Sequence, residues 1–126
     1  MSETFTLSGS ASSKPVIGAP SGQATLTIPL DESVSLLRST KCEYRLSSDA
    51  VQAVNFGPIT NAHVVVVRAT GGKIRVRLTS TDGNTQSVPV DPLLVLISND
   101  APIAAVDLMR VPTVETDVSI FLGERA

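Results

Sequence analysis

The side chains able to do chemistry in this chain are few and scattered. There is one histidine, His63, and one cysteine, Cys42, between Lys41 and Glu43. A Ser-His-Asp triad or a His-ligated zinc would have to use His63, and no second His or Cys stands at ligand spacing from it. No Gly-x-Ser-x-Gly stretch occurs. After the turn residues Thr60-Asn61, His63 reads as a satisfied or solvent-facing histidine. Cys42 reads as a small packed side chain, the usual state of a lone thiol in a β domain. The carboxylates Asp31, Glu32, Asp82, Asp91, Asp100, Glu115 and Asp117 sit at expected turns and strand ends. Glu115 and Asp117 would share one strand face, as acid/base chemistry or calcium would need. No Asp/Asn-rich loop accompanies them, so turn-forming and edge-protecting roles fit better. Gly71-Gly72 lacks the lysine, serine and following helix of a phosphate loop. No catalytic residue, cofactor site or metal site is assigned.

A richer signal comes from cations on alternating residues. His63 to Thr70 and Lys73 to Thr79 are β-branched runs separated by Gly71-Gly72, which reads as a hairpin. In that register Arg68 faces Arg75 and Val67 faces Val76. One face then carries Val65, Val67, Ala69, Ile74, Val76 and Leu78, and the other Arg68, Lys73, Arg75 and Arg77. Like charges opposed across a pair are unfavourable by about 0.2–1 kcal/mol. A carboxylate from a neighbouring strand or an acidic patch on another subunit would relieve them; otherwise the face is simply solvated. Without interleaved aromatics these cations are a weak nucleic-acid signal. For the next turn, a three-residue Asp82-Gly83-Asn84 loop pairs Leu78 with Val88 and Val76 with Val90. It keeps the apolar face continuous, with Asn84 or Gly83 at positive φ.

The remaining runs must position these residues. Strands are expected over Ala24–Ile28, with Pro29 near its end, and over Val34–Leu37, Glu43–Leu46 and Val51–Phe56. More follow over Leu93–Ile97, Ile103–Met109 and Asp117–Leu122. A short helix over Asp31–Arg38 is the alternative at that segment. Eight to ten short strands at this spacing predict an all-β fold, an antiparallel β-sandwich or jelly-roll-like domain over residues 23–126. Residues 1–22, rich in Ser, Gly and Pro, read as an extended N-terminal arm, with Phe5, Leu7, Val16 and Ile17 as its anchors. In the last strand Val118, Ile120 and Leu122 share a face. Phe121 then points the other way, to be covered by a neighbouring subunit or by its own chain, or else left exposed.

The chain has 126 residues, enough for one domain with its own core. It has no Trp, one Tyr and three Phe, which argues against a stacking surface for sugars or single strands. A net charge of −2 implies neither nucleic acid nor a membrane surface as an obligate partner. The N-terminus shows no signal-peptide pattern, and no apolar run reaches the ~20 residues of a transmembrane helix.

The run Val88 to Leu96, then Asp100-Ala101-Pro102-Ile103, and the terminal Val118 to Glu124 resemble small virion structural proteins of tailed bacteriophages. These include head-decoration (cement) proteins and small tail or fibre-adaptor proteins. The resemblance covers about the last third of the chain and implies a β-sandwich or jelly-roll-like fold and no enzymatic activity. It also implies homo-oligomers, trimers favoured, among major capsid or tail proteins. Synthesis in the host cytoplasm and residence in the virion follow from it. The expected interface residues are Phe5, Arg68, Lys73, Arg75, Arg77 and Phe121, with the arm and strand edges buried against neighbours. A ligand- or carbohydrate-binding β-sandwich is the rival from another class. A small β-barrel hydrolase or isomerase using His63 or Glu115/Asp117 is a further one.

Overall fold

Period-2 alternation of apolar and polar residues becomes strand after strand in the structure. It is a computed structural model that describes residues 3–13 and 26–126, with the backbone alone at 10–13 and 26–28. The strands are β1 (Glu3–Leu7), β2 (Ser10–Ser13), β3 (Leu26–Pro29), β4 (Glu32–Leu46), β5 (Gln52–Ala53) and β6 (Val64–Thr70). They continue with β7 (Ile74–Ser80), β8 (Thr85–Val90), β9 (Leu93–Ile97), β10 (Ile103–Arg110) and β11 (Thr116–Arg125). A five-stranded sheet, ordered β1-β4-β11-β6-β9, faces a four-stranded sheet, ordered β5-β10-β7-β8. Every pairing is antiparallel, β2 and β3 form a separate ribbon, and the architecture is the expected antiparallel β-sandwich.

The core between the sheets is aliphatic. Val65, Val67 and Ala69 from β6 and Val118, Ile120 and Leu122 from β11 meet Ile74, Val76 and Leu78 from β7 and Val106 and Leu108 from β10. The two apolar sets expected to share one hairpin face are therefore both buried, but they meet across the sandwich. This corrects the hairpin reading of Gly71-Gly72: β6 pairs with β11 and β9, and β7 with β10 and β8. The glycines carry the chain from one sheet to the other. Gly71 takes φ of 92°, and Gly72 packs so closely that a Cβ there would lie 2.7 Å from Thr116 Oγ1. Arg68 and Arg75 consequently do not oppose one another. Local pattern identified the buried faces, but the choice of neighbour lies with β11 and β10, distant in sequence.

Between the core sheets the only direct hairpin among the described residues is β7–β8. Leu78 pairs with Gln86, Val76 with Val88 and Ile74 with Val90, so the register is two residues from the expected one. The loop is Thr81-Asp82-Gly83, since Ser80 N donates to Asn84 O at 2.9 Å. An odd loop length preserves the inward face in either register, so the apolar pattern does not distinguish them. Asp82 decides: its carboxylate accepts from Asn84 N at 3.0 Å and from the Ser80 hydroxyl, and Gly83 takes φ of 90°.

The two short strands expected at Val34–Leu37 and Glu43–Leu46 are one 15-residue strand, β4, and the helical alternative at Asp31–Arg38 is not adopted. β4 is bonded on both sides, by β1 and β11, which outweighs a weak capping signal. Its register against β11 shifts between Glu124 and Arg125, at a bulge around Leu37. The bulge reverses which face is buried. Beyond it Val34 and Leu36 turn to the outward side of the sheet. There they form a second small core with Val64, Phe5, Val66, Ile97 and Phe121. Gly123 lets Leu36 cross: a Cβ at Gly123 would sit 2.9 Å from both Leu36 methyl carbons. The uninterrupted valine run 64–67 follows from this, because β6 is covered on both faces.

The expected strand Val51–Phe56 shortens to Gln52–Ala53, while Val54 and Phe56 still pack on the core. Glu3–Leu7 of the expected arm runs along β4 as an edge strand. Val16, Ile17 and most of the remaining arm lie outside the described residues.

Candidate functional site: the outward sheet faces

Cross-strand register converts the expected interface residues into two separate surfaces. On the outward side of the five-stranded sheet, one row reads Glu43–Ser119–Arg68–Leu93 and the next Lys41–Phe121–Val66–Val95, across β4, β11, β6 and β9. The sheet curls around these rows, leaving an open groove of about 390 Å³ lined by Lys41, Glu43, Val66, Arg68, Leu93 and Phe121. Ser119 separates Glu43 from Arg68 by two strand spacings, about 10 Å. Arg68 has no ion-pair partner among the described residues. Leu93 beside it is 47% exposed.

Phe121 faces outward as expected, and of the two coverings anticipated its own chain supplies one. The Phe5 ring stacks on it with centroids 5.6 Å apart and planes 25° apart. Offset stacking of this kind adds about 0.5–1.5 kcal/mol beyond burial. It fastens β1 to the sheet, helped by the Ser39 hydroxyl, which donates to Glu3.

Lys73, Arg75 and Arg77 lie on the other sheet, on the opposite side of the sandwich. The single basic face is thereby corrected to two. Arg77 pairs in register with Asp107 and donates to its carboxylate from Nε at 3.1 Å and from an Nη at 2.8 Å. This is the neighbouring-strand carboxylate anticipated for the basic face, acting on a different arginine. Lys73 and Arg75 have no such partner among the described residues. They flank a hollow of about 240 Å³ walled by Pro89, Met109, Val111 and Pro112.

His63, Cys42 and the Glu115/Asp117 pair each have partners within the chain. His63 Nδ1 accepts from Arg125 N at 3.1 Å, placing the neutral ring's proton on Nε2, while its backbone bonds Gly123 and Ser98. Cys42 Sγ donates to Asn55 O at 3.4 Å. Glu115 and Asp117 share an exposed face and one cation: Arg45 lies 2.8 Å from Glu115 and 3.9 Å from Asp117. They stand at the far end of β6 and β11 from His63, about 20 Å away at strand rise. Among the described residues no three His, Cys, Asp or Glu side chains gather as a metal site.

A further ion pair fastens the β10–β11 turn. Asp49 Oδ1 accepts from Thr113 N at 3.1 Å and from Arg110 Nε at 2.8 Å, beside a φ of 66° at Thr113, the one positive φ at a non-glycine among the described residues. The Thr113 amide and Arg110 hold the Asp49 carboxyl below its ordinary range. Arg45 does the same for Glu115, and Ser80 with Asn84 for Asp82. Unfolded carboxyls titrate near pH 3.9–4.3, roughly, so below about pH 5 the unfolded chain binds more protons than the folded one. The stability from these groups is complete above that range and is lost as pH falls through their lowered values. The thermal midpoint is expected to hold from neutral pH to about 5 and to fall below about 4. Calorimetry on Asp49→Asn with Glu115→Gln should show a shallower fall; an identical slope would contradict this origin.

The sequence missed the groove because its rows assemble from four strands, three of them paired far from their chain neighbours. The odd-numbered Lys41 and Glu43 were the available signal for its rim. No protein-family model, curated protein or solved structure matches the chain.

Proposed function

We propose that this chain is a non-enzymatic structural subunit of a tailed-bacteriophage virion, a head-decoration protein that stabilises the particle through contacts with the capsid and with its own copies. The resemblance of the last third to such proteins supplies the class. The observation that carries the reading is the groove on the five-stranded sheet. Arg68, without an intramolecular ion partner, stands beside exposed Leu93 and the anchored ring of Phe121, rimmed by Lys41 and Glu43. An arginine set among apolar and aromatic side chains is the composition that protein interfaces concentrate at their energetic centres. A tail or fibre-adaptor position uses the same surface on a different neighbour.

The test is incorporation into particles. Arg68→Glu is expected to lower occupancy at least about tenfold, the usual scale for a central interface residue, where truncation costs about 2 kcal/mol or more. Arg75→Glu tests the second surface, and the circular dichroism spectrum of each purified variant controls for altered folding. Unchanged occupancy with Arg68→Glu and Arg75→Glu would refute both surfaces. A ligand-binding sandwich is the second reading, favoured by a groove volume within the small-molecule range of about 300–1,000 Å³. Glycan-array binding that Arg68→Glu abolishes would support it instead.

A further inference from the structure

We infer that the free edge of β9 pairs with β9 of a second copy of this chain, antiparallel about Val95, joining two five-stranded sheets into one. The β6–β9 ladder sets the geometry. Ala69 N donates to Pro92 O and Ser98 N to His63 O, each at 2.8 Å. Hydrogen-bonded pairs in an antiparallel ladder recur every second residue, so Leu94 and Leu96 bond β6. The N–H and C=O groups of Leu93, Val95 and Ile97 point away from β6, and no described strand lies on that side.

The other edges carry the usual protections. β5 is two residues long, β8 contains Pro89, and β1 carries the charged Glu3. β9 reads Leu-Leu-Val-Leu-Ile, with neither charge nor proline. That sequence is nearly the same in both directions, which antiparallel self-pairing requires. With Val95 on the dyad, Leu93 meets Ile97 of the second copy and Leu94 meets its Leu96. The residues that exchange hydrogen bonds are then Leu93, Val95 and Ile97, the three whose groups are free.

The side chains agree with this register. Leu94 and Leu96 line, with Leu78, Val88 and Ile103, a mostly apolar hollow of about 290 Å³ between the sheets, over which the second copy's leucines extend. An isologous contact of this kind gives two-fold pairs, where the sequence resemblance anticipates trimers.

The inference deepens the proposed role by naming one partner, and rests on it only in taking self-association as part of that role. Its test needs no particle, so the two can fail separately. Sedimentation equilibrium on the full chain over about 1–100 µM is expected to show a dimer. Leu93→Lys places a charge on an exposed edge position. Val95→Pro removes an N–H that the β6 ladder does not use. Each is expected to raise the dissociation constant at least about tenfold with an unchanged far-ultraviolet spectrum. A monomer throughout, or an oligomer indifferent to Leu93→Lys, overturns the inference.

Discussion

Leu36→Ala is expected to lower the unfolding free energy by about 2–5 kcal/mol, the range for emptying a fully buried leucine site. Leu37→Ala should change it by only about 0.5 kcal/mol. The two leucines are adjacent and identical; strand alternation sends them to opposite faces, and the bulge in β4 puts Leu36 on the outward side, in the second core. Leu36 is 1% exposed against Val34, Val64, Phe5 and Phe121, while Leu37 is 47% exposed. Urea denaturation of both variants reads the difference directly. Equal effects would mean that the outward face of the five-stranded sheet is an ordinary solvated face, and the second core would fall with it. The consequence reaches the groove, because Phe121, which lines it, packs against this same cluster.

Gly72→Ala is expected to cost about 1–3 kcal/mol through overpacking. The added methyl would lie 2.7 Å from Thr116 Oγ1 and 2.8 Å from Val114 Cγ1, and Thr116 is 1% exposed with its hydroxyl donating to Val114 O. The neighbouring Gly71→Ala fails for a different reason, a φ of 92° that an L side chain adopts only with strain of about 1–3 kcal/mol. Because the Gly72 cost is steric, trimming Val114 to Ala should recover part of it, and thermal unfolding of the double variant measures the coupling. In a plain β-hairpin loop Val114 would have no bearing on Gly72. Additivity of the two substitutions would therefore contradict the crossover between sheets.

Local pattern carried the fold class and most strand positions, since alternation, β-branching and turn residues are local quantities. Leu93–Ile97 appears where expected, and the inward sets on β6, β7 and β11 are buried as read. Pairing was not legible. Gly-Gly between two valine-rich runs is chemically a hairpin signal, yet the pairing energy of β6 lies with β11, about fifty residues downstream. The merger of two short runs into β4 depends on its bulge and on support from both sides, neither of which leaves a turn-like mark in the sequence. The basic face followed the hairpin. Once the hairpin opened into a crossover, Arg68 joined Phe121 and Leu93 on one side of the sandwich, while Lys73, Arg75 and Arg77 stayed on the other. Phe5 could be singled out as an anchor of the arm and Phe121, 116 positions away, as an outward ring, but not as each other's cover.

The most direct measurement is the copy number of this chain in purified particles. Density-gradient fractions from a lysate that contains it would be quantified against the major capsid protein by isotope-labelled peptides. The proposed role predicts that the chain bands with the particles at a fixed, reproducible ratio to the capsid protein. It also predicts that Arg68→Glu lowers that ratio without lowering the amount of soluble chain. Recovery of the chain only in the soluble fractions, with particles that band normally without it, would contradict the account.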